Sequence, residues 1–355
     1  MNKRIAVAMS GGVDSAVAAA LLKKQGWEVF GITMYFNLAA LYGSDPSCCS
    51  SKGVRDARRV AGQLGIEHYA LDMQQILQER VIKNFCQEYL KGRTPNPCVR
   101  CNQYLKFDAL LKIAFQLGAQ YLATGHYARI SRYQGKCLLK KGKDPLKDQS
   151  YFLYRLNQNA LRHTVFPLGS YAKNAVRGLA HELNLIVADR PASQEICFLR
   201  GGDYRNFLKT HLKLTPKPGV ITDKEGKILG RHRGIAFYTI GQREGLGIAL
   251  GYPAYIIDID PKNNRIILGD KASALKREFL VKEPHFILSL AKKKIALKVK
   301  IRYNHQEALA EVDSSQAKIR VRFKKPQFAI TPGQSAVFYH KDTVVGGGII
   351  EEVLS

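Results

Sequence analysis

The first 24 residues constrain the fold of this chain more than any other stretch of similar length. RIAVAM, apolar after its first residue, predicts a short buried strand, SGGVDS (10–15) predicts a tight turn, and AVAAALLKK predicts a helix. WEVFGITM, HYALDM and QYLATGH read as further strands, and amphipathic helical segments separate them. This alternation predicts a parallel sheet covered by helices on both faces, with ligands at the carboxyl ends of its strands.

The pattern changes after about residue 212. TPKPGVITDKEGKILGRHRG is rich in turn residues, and short alternating segments such as YIIDID, NRIILGD and KIRVRF follow it. PKNN (261–264) predicts a hairpin turn. The fold class that follows is an α/β domain followed by two small β domains, the last a β-barrel. We place the three domains at residues 1–205, 206–272 and 273–355.

SGGVDS has the composition of a phosphate-binding loop. Its glycines let backbone amides face an anion, and the following helix N-terminus and the hydroxyls of Ser10 and Ser15 favour negative charge. Asp14 fits beside a phosphate if it holds Mg²⁺. A plain helix cap explains Asp14 or Ser15, but not two serines, two glycines and the position after the first strand. The segment lacks the Walker A pattern and resembles the PP-loop of ATP pyrophosphatases, which cleave ATP to AMP and pyrophosphate.

The net charge of the chain is +26, from 55 Lys and Arg against 29 Asp and Glu. Such an excess indicates a polyanionic partner, nucleic acid before a membrane surface, with a merely solvated surface as the alternative. Residues 271–325 hold 15 basic and 5 acidic residues, and alternation in KIALKVKIRY and KIRVRFKK puts the cations on one sheet face. No apolar run is long enough to span a bilayer and no signal peptide is visible, so we expect a cytoplasmic protein without membrane contact.

TPNPCVRCN (94–102) carries two cysteines three residues apart, Cys98 and Cys101. Such a pair fits half a zinc site, a dithiol redox couple, a cluster anchor or a catalytic thiol with a neighbour. Zinc is the weakest option, because a structural zinc site usually takes two close pairs of ligands and the chain has no second C-x-x-C. Cys48 and Cys49 are adjacent, so both cannot easily face one site, and we assign them as structural or loop residues.

Six segments together resemble the tRNA-specific 2-thiouridylase family, MnmA: DPSCCSSKGVRDARRVAGQLGI, GRTPNPCVRCNQYLKF, ATGHYAR, KDQSYFLYRL, SQEICFLRGGDY and YTIGQREGLGI. The resemblance covers nearly the whole chain and implies a PP-loop domain, a central β domain and a C-terminal β-barrel that binds tRNA. It implies ATP-dependent replacement of the C2 oxygen of the wobble uridine, position 34, by sulfur in tRNAs for Lys, Glu and Gln. The expected sulfur donor is a cysteine desulfurase or a sulfur-relay protein.

The resemblance also implies which residues form the site. Cys101 matches the nucleophile and Cys197 matches the carrier of a persulfide, with a reversible Cys101–Cys197 disulfide closing the cycle. The implied ATP site, with Mg²⁺, comprises Ala8, Met9, Ser10, Gly11, Gly12, Val13, Asp14, Ser15, Met34 and Gly125. The implied contacts with the target base or the tRNA are Asn96, Pro97, Cys98, His126, Lys147, Asp148, Gln149, Arg302, Tyr303 and Gln334.

Cys98 departs from a common family pattern, N-P-D-x-x-C, which carries Asp at this position. That Asp is a candidate acid or base for sulfur transfer, and a thiol is a weak substitute for it. The N-P-C-x-x-C form also recurs in the family and gives a second interpretation. Cys98, Cys101 and Cys197 would supply three thiolates to a [4Fe–4S] cluster whose fourth iron is open to sulfide. The sequence leaves the persulfide and cluster mechanisms both open.

Two other functions compete with thiolation. A PP-loop enzyme that amidates or ligates with ammonia or an amino acid needs SGGVDS but not the cysteines. A non-catalytic RNA-binding protein needs the basic barrel but neither SGGVDS nor Cys101 and Cys197. Incubation of unmodified tRNA with ATP and a sulfur donor discriminates among the three.

Overall fold

The computed structural model describes residues 3–36, 51–191, 196–199, 203–213, 215–290 and 292–354. Cys48 and Cys49 lie outside the described residues. The chain divides into two compact units, each built from several segments. The first comprises Met1–Val81, Cys98–Tyr204 and Asp342–Val344, and the second comprises Ile82–Pro97, Arg205–Lys341 and Val345–Ser355. The three domain boundaries that we placed from the sequence differ from this division into two units and remain a prediction.

The first unit is built on a parallel sheet. Its strands are β1 (Arg4–Ala8), β2 (Glu28–Tyr35), β3 (His68–Asp72), β4 (Tyr121–Thr124), β5 (Ala128–Tyr133), β6 (Lys136–Lys141) and β7 (Thr164–Val165). Five of them lie in the order β3-β2-β1-β4-β7, and each neighbouring pair is parallel. β1 is central, and its Ile5, Ala6 and Val7 are buried. The predicted parallel sheet is therefore confirmed.

The described helices include short and long segments. In chain order they are α1 (Val13–Lys24), α2 (Ser51–Leu64), α3 (Gln74–Leu77), α4 (Lys83–Leu90), α5 (Pro97–Arg100), α6 (Leu111–Gln116), α7 (Gln158–Arg162), α8 (Lys173–Glu182) and α9 (Tyr204–Leu212). Most of α1 is buried, because its run of alanines lets the sheet and Val176 and Ala180 of α8 pack closely against it.

The helix that carries the paired cysteines is longer than the sequence predicted. The periodicity predicts a helix from Phe107 to Leu117, whereas α5, a π-helical segment (Cys101–Leu110) and α6 follow one another without a break. Pro97 suits the first position, where its missing N–H costs no hydrogen bond. The helical pattern from Cys101 onwards is obscured because a π-helix does not keep the 3.6-residue repeat.

The second unit contains a small sheet and a closed barrel. The sheet consists of β8 (Gly219–Thr222), β9 (Ile228–His232), β10 (Tyr255–Asp260) and β11 (Arg265–Gly269). The predicted PKNN turn joins β10 to β11. The barrel consists of β12 (Leu275–Phe286), β13 (Lys294–Lys300), β14 (Ala308–Asp313), β15 (Ile319–Phe328), β16 (Ser335–His340) and β17 (Thr343–Val353). β12 pairs with both β15 and β17, which closes the barrel and confirms the predicted architecture.

The barrel strands place their cations as the alternation predicts. In β13, Lys298 is exposed and the next residue, Val299, is buried. In β15, Arg320 and Arg322 are exposed, and Val321 between them is buried. Several of these cations have an acidic partner within the barrel: Lys294 pairs with Asp313, Lys298 with Glu307, and Arg320 and Arg322 with Glu278. The charge that this face offers to a polyanion is therefore smaller than the count of its basic residues.

A hairpin that the sequence did not predict completes the first unit. β5 and β6 pair antiparallel, and Thr343 pairs with Lys140 beside them. Arg129 donates to the Asp342 carboxylate over 3.1 Å, and Lys141 N donates to Asp342 O over 2.8 Å. The first unit thus takes in three residues from near the end of the chain. Across the described ranges, no helix is both long enough and apolar enough to cross a membrane.

Candidate active site

The loop between β1 and α1 is closed by hydrogen bonds of its two serines. Ser10 N donates to Ser15 Oγ over 3.2 Å, and Ser15 Oγ donates to Gly12 O over 3.1 Å. Gly11 has φ of +73°, and a Cβ at this position would lie 2.5 Å from Gly53 O. Only glycine fits there without strain. The result is a tight glycine turn at a helix N-terminus, an arrangement that suits a phosphate group.

Asp14 accepts hydrogen bonds from two side chains that lie far away in the sequence. Tyr127 donates its hydroxyl over 2.7 Å, and Lys173 donates its Nζ over 2.5 Å. Burial, together with the neighbouring Asp14 carboxylate, raises the pKa of Tyr127 far above its ordinary value, so its hydroxyl stays a donor. The carboxylate is therefore paired with a cation inside the loop region.

A second cation, Arg190, holds the backbone of the same loop. Its Nη1 donates to Gly11 O over 2.6 Å and forms an ion pair with Asp56 of α2. The two side chains are 24% and 19% exposed, so water screens the pair only in part. Arg190 lies seven residues before Cys197, so one chain segment both supports the phosphate loop and leads to a predicted catalytic cysteine.

The end of β4 lies against the phosphate loop. A Cβ on Gly125 would lie 2.9 Å from both Asp14 C and Ser15 N, which are backbone atoms. Gly125 is therefore placed beside the loop, as its assignment to the ATP site requires. Met34, assigned to the same site, is buried in β2.

Gly125→Ala is expected to weaken ATP binding at least about 10-fold, because the added methyl group displaces the Asp14–Ser15 backbone. Gly178→Ala is the matched control, since Gly178 lies within α8 with nothing within 4 Å of an added Cβ. Alanine there should stabilise the helix by about 1 kcal/mol. Titration calorimetry with ATP measures both variants, and equal affinities would contradict the close approach of Gly125 to the loop.

Cys98 and Cys101 lie three residues apart at the start of the helix that begins at Pro97. This spacing puts them on one face, and both side chains are half-buried. The amide dipoles of a first helical turn favour negative charge near it. The neighbouring Asn102 is buried, and its Nδ2 donates to Phe152 O over 3.1 Å, which fixes this helix to the segment after Gln149.

Cys197 belongs to the same compact unit and is also half-buried. The described cysteines are all thiols, so the predicted Cys101–Cys197 disulfide is not formed in this structure. Within the part of the chain that the structure describes, no three His, Cys, Asp or Glu side chains are grouped so that they could hold a metal ion. The assignment of Cys98, Cys101 and Cys197 as ligands of a [4Fe–4S] cluster stays a prediction.

Several residues predicted to contact tRNA meet around Tyr127. Tyr127 N donates to Gln149 Oε1 over 3.0 Å, and Gln149 N donates to Tyr127 O over 2.9 Å. His126 packs against the ring of Phe107, which belongs to the helix of Cys101, with 5.8 Å between ring centroids. Its Nδ1 lies 2.6 Å from Thr124 Oγ1. Adjacent residues thus contact the cysteine helix and, through Tyr127, the phosphate loop.

Asp148 has a structural task in the same segment. The side chain is buried and accepts hydrogen bonds from Gly142 N over 2.9 Å, from Ser150 N over 3.0 Å and from Ser150 Oγ over 2.9 Å. The carboxylate therefore fixes the backbone that carries Lys147 and Gln149. Its predicted contact with tRNA stays a prediction.

His126 is expected to be neutral near pH 7. Burial lowers its pKa well below the ordinary value, and the Lys106 cation lowers it further. The ratio of tRNA dissociation constants of the His126→Gln variant and the unsubstituted protein should therefore stay constant between pH 6 and 8. Filter binding at constant salt measures this ratio. A tRNA affinity that rises on acidification only when His126 is present would show that the imidazole gains a charge.

The second unit holds the remaining predicted contacts. Arg302 Nη1 donates to Phe328 O over 3.0 Å and to Ala329 O over 3.2 Å. Lys300 Nζ lies 5.3 Å from the ring centroid of Tyr303. Gln334 Nε2 donates to Thr94 O over 3.0 Å. Asn96 is half-buried and Pro97 is buried.

Sequence reasoning missed four residues of this site: Asp56, Tyr127, Lys173 and Arg190. More than 100 positions separate Tyr127 and Lys173 from Asp14, so no local spacing connects them. Tyr127 carried one signal, because it directly follows His126 in ATGHYAR. Lys173 and Arg190 look like ordinary surface cations in the sequence.

Three family models match the chain in succession. The one described as "tRNA methyl transferase HUP domain" matches residues 3–201. "tRNA methyl transferase PRC-barrel domain" matches residues 205–270, and "Aminomethyltransferase beta-barrel domain" matches residues 276–350. These matches follow the order of an α/β domain, a small β domain and a barrel.

Curated relatives match over the full length. The chain is 51% identical to a protein named tRNA-specific 2-thiouridylase MnmA 2 from Thermoanaerobacter sp. (strain X514), covering 100% of this chain and 99% of the relative. It is 49% identical to tRNA-specific 2-thiouridylase MnmA 1 from Caldanaerobacter subterraneus, covering 99% of each. It is 46% identical to tRNA-specific 2-thiouridylase MnmA from Clostridioides difficile, covering 100% of this chain and 99% of the relative.

Proposed function

The chain belongs to the tRNA-specific 2-thiouridylase family, and on that premise we propose that it is a tRNA-uridine 2-sulfurtransferase acting on the wobble uridine of tRNAs for Lys, Glu and Gln. One observation carries the proposal beyond family membership. His126 packs against Phe107 of the helix that begins at the paired cysteines, and the next residue, Tyr127, donates to Asp14 of the phosphate loop. A nucleotide on the loop and a base beside the cysteines would therefore be held by one connected set of side chains.

The phosphate loop fits ATP. Gly11 and Gly125 keep the space around the loop free of side chains, and the helix N-terminus favours the phosphate charge. ATP, when bound, supplies the adenylate group that turns the C2 oxygen of the uridine into a leaving group. Mg²⁺ usually binds through one or two carboxylates and the substrate's own phosphates, so Asp14 is its candidate protein ligand. Lys173 would then be released from Asp14 towards the phosphates.

We favour the persulfide route for the sulfur. The donor, a cysteine desulfurase or a relay protein, transfers a sulfane sulfur to the Cys197 thiol. The terminal sulfur bonds to C2 as the adenylated oxygen leaves with AMP. The Cys101 thiolate then attacks Cys197 Sγ, which forms a Cys101–Cys197 disulfide and leaves the sulfur on C2. A dithiol reductant returns both cysteines to thiols.

The cluster route is the second candidate mechanism. It needs Cys98, Cys101 and Cys197 to converge on one cluster, as the persulfide route needs Cys101 to reach Cys197. We derive no step through iron. In the persulfide route Cys98 is an auxiliary thiol next to the target base, at the position where Asp stands in many family members.

The barrel is the proposed tRNA-binding surface. Its exposed cations, among them Lys298, Arg320 and Arg322, would follow the phosphates by shape rather than by base sequence. Because acidic partners already pair several of them, tRNA must displace Glu278 or Glu307 from its cations to use their full charge.

The test is thiolation of unmodified tRNA-Lys with ATP, a cysteine desulfurase, cysteine and a reductant. The expected product is retarded in a mercury-containing gel, and one AMP is released for each sulfur transferred. Retardation absent under both aerobic and anaerobic conditions would overturn the proposal. ATP cleavage driven by ammonia or an amino acid would favour a ligase, and tRNA binding without ATP cleavage would favour a non-catalytic RNA-binding protein.

A further inference from the structure

The residues just before Cys98 are fastened to the barrel within the second unit. We use the name TPNP loop for Thr94–Pro97. Thr94 N donates to Pro332 O over 2.9 Å. Gln334 Nε2 donates to Thr94 O over 3.0 Å and to Pro95 O over 3.3 Å. Backbone and side-chain donors therefore hold the first half of the loop against one turn of the barrel.

Arg93 adds a second attachment directly before the TPNP loop. Its Nη1 donates to Glu351 O over 3.0 Å and its Nη2 donates to Ile350 O over 2.9 Å. Its Nε donates to the Glu88 carboxylate of α4 over 2.7 Å. The Arg93 and Glu88 side chains are only 16% and 10% exposed. Charge-assisted hydrogen bonds in such a shielded place are stronger than those on an open surface.

The turn that receives the TPNP loop admits no side chain at its centre. Gly333 has φ of +94°, and a Cβ there would lie 2.9 Å from Thr94 N and from Thr94 O. Both are backbone atoms, so they cannot move aside as the end of a flexible side chain does. Gly333 N also donates to Ile350 O over 2.8 Å, which keeps the turn on β17. The contact is thus built for close backbone approach.

We propose that Gln334 and Arg93 are positioning residues for sulfur transfer, which rests on the proposed function. They fix the TPNP loop on the barrel, and Pro97, the last residue of that loop, is the first residue of the helix that carries Cys98 and Cys101. The loop's attachment therefore restrains the residue from which that helix starts. This assigns Gln334 a task other than the direct tRNA contact that the family resemblance implies, because its side-chain amide donates to the loop's carbonyls.

The two tasks have different kinetic signatures. A residue that contacts tRNA directly contributes to binding, so its loss raises the tRNA dissociation constant. Saturating tRNA overcomes this effect. A residue that positions the catalytic helix acts on the reacting geometry, so its loss lowers the rate at saturation. It also changes the access of a small alkylating reagent to Cys98 and Cys101 when no tRNA is present.

Gln334→Met removes the donor and keeps the side-chain length. We expect a single-turnover thiolation rate about 10-fold lower at saturating tRNA, with the tRNA dissociation constant changed less than about 2-fold. Iodoacetamide labelling of Cys98 and Cys101, read by mass spectrometry, should change at least about 3-fold. Gln327→Met is the matched control, since it also removes a side-chain amide with two partners: Gln327 Nε2 donates to Lys325 O over 2.8 Å, and its Oε1 lies 3.0 Å from His305 Nε2. Cys86 should stay unlabelled, because burial raises its thiol pKa to about 11.

Gly333→Ala is the second variant, and it keeps the Gln334 donor while pushing on the Thr94 backbone. It should show the same loss of thiolation rate at saturating tRNA. It therefore tests the proposal even if Gln334→Met is too unstable to measure. Weaker tRNA binding with an unchanged saturating rate and unchanged labelling would overturn the positioning role. Labelling does not depend on thiolation, so it decides this proposal even if the unsubstituted protein makes no thio-tRNA.

Discussion

In a single turnover without added reductant, Cys101→Ala should lower the thiolation rate by about 1,000-fold or more, because the thiolate that attacks Cys197 Sγ and frees the sulfur on C2 is lost. The C2 atom and its adenylate do not depend on the thiol, so tRNA binding and the first release of AMP should persist. The sulfur should then accumulate as an adduct of tRNA and protein that a reductant releases. The measurement combines mercury-gel analysis of the tRNA with a single-turnover assay for AMP.

Cys137→Ala is the control for this change. Cys137 is a buried thiol of β6 in the same unit, and its removal should leave the thiolation rate within about twofold while it lowers stability by about 1 kcal/mol. Full activity of Cys101→Ala would remove the sulfur-transfer mechanism even if the product were confirmed.

Lys173→Met should lower kcat/KM for ATP by about 100-fold, because breaking a shielded ion pair strands the Asp14 carboxylate beside the nucleotide phosphates. Lys173 Nζ lies 2.5 Å from Asp14 Oδ1, and the two side chains are 12% and 33% exposed. The measurement is AMP release as a function of ATP at saturating tRNA. Lys24→Met is the control, since Lys24 is an exposed cation in the last turn of α1, at the far end from the loop.

A double substitution separates two reasons for the effect. Adding Asp14→Asn removes the stranded carboxylate but also the candidate Mg²⁺ ligand. Partial recovery of kcat/KM would therefore show that Lys173 serves only to neutralise Asp14 and that Asp14 is not needed for Mg²⁺. If Lys173 also binds phosphate, the double variant should be at least as slow as Lys173→Met. Lys173→Met with unchanged ATP dependence would show that the pair is only a surface feature.

The sequence predicted the elements of the parallel sheet because each has a strong local signal. RIAVAM is uniformly apolar after Arg4, where β1 is buried, and KIALKVK alternates where β13 has one face in water. The cysteine helix was predicted too short because its π-helical stretch lacks the ordinary repeat. The β5–β6 hairpin was missed because RISRY and KCLLKK follow the strand-like QYLATGH without a change of composition.

Residues of the site that lie in short sequence motifs were predictable. Residues that act through a partner far away in the sequence were not. Glycines at 11 and 125 are distinctive because a Cβ at either would collide with backbone. The partners of Asp14 and Gly11 were not predictable, because Lys173 and Arg190 approach them only through the tertiary fold. Gln334 shows the same limit, since its donor reaches a loop 240 positions away.

Segments of the two compact units alternate along the chain, since the first unit includes Asp342–Val344 and the second includes Ile82–Pro97. A gene truncated before residue 342 would lose the partner of Arg129 and of Lys141 N. A gene in which another module replaced residues 82–97 would lose the partner of Pro332 O and of Gln334. Recombination at any single point within the chain therefore separates residues of at least one unit, so the two units should be inherited together.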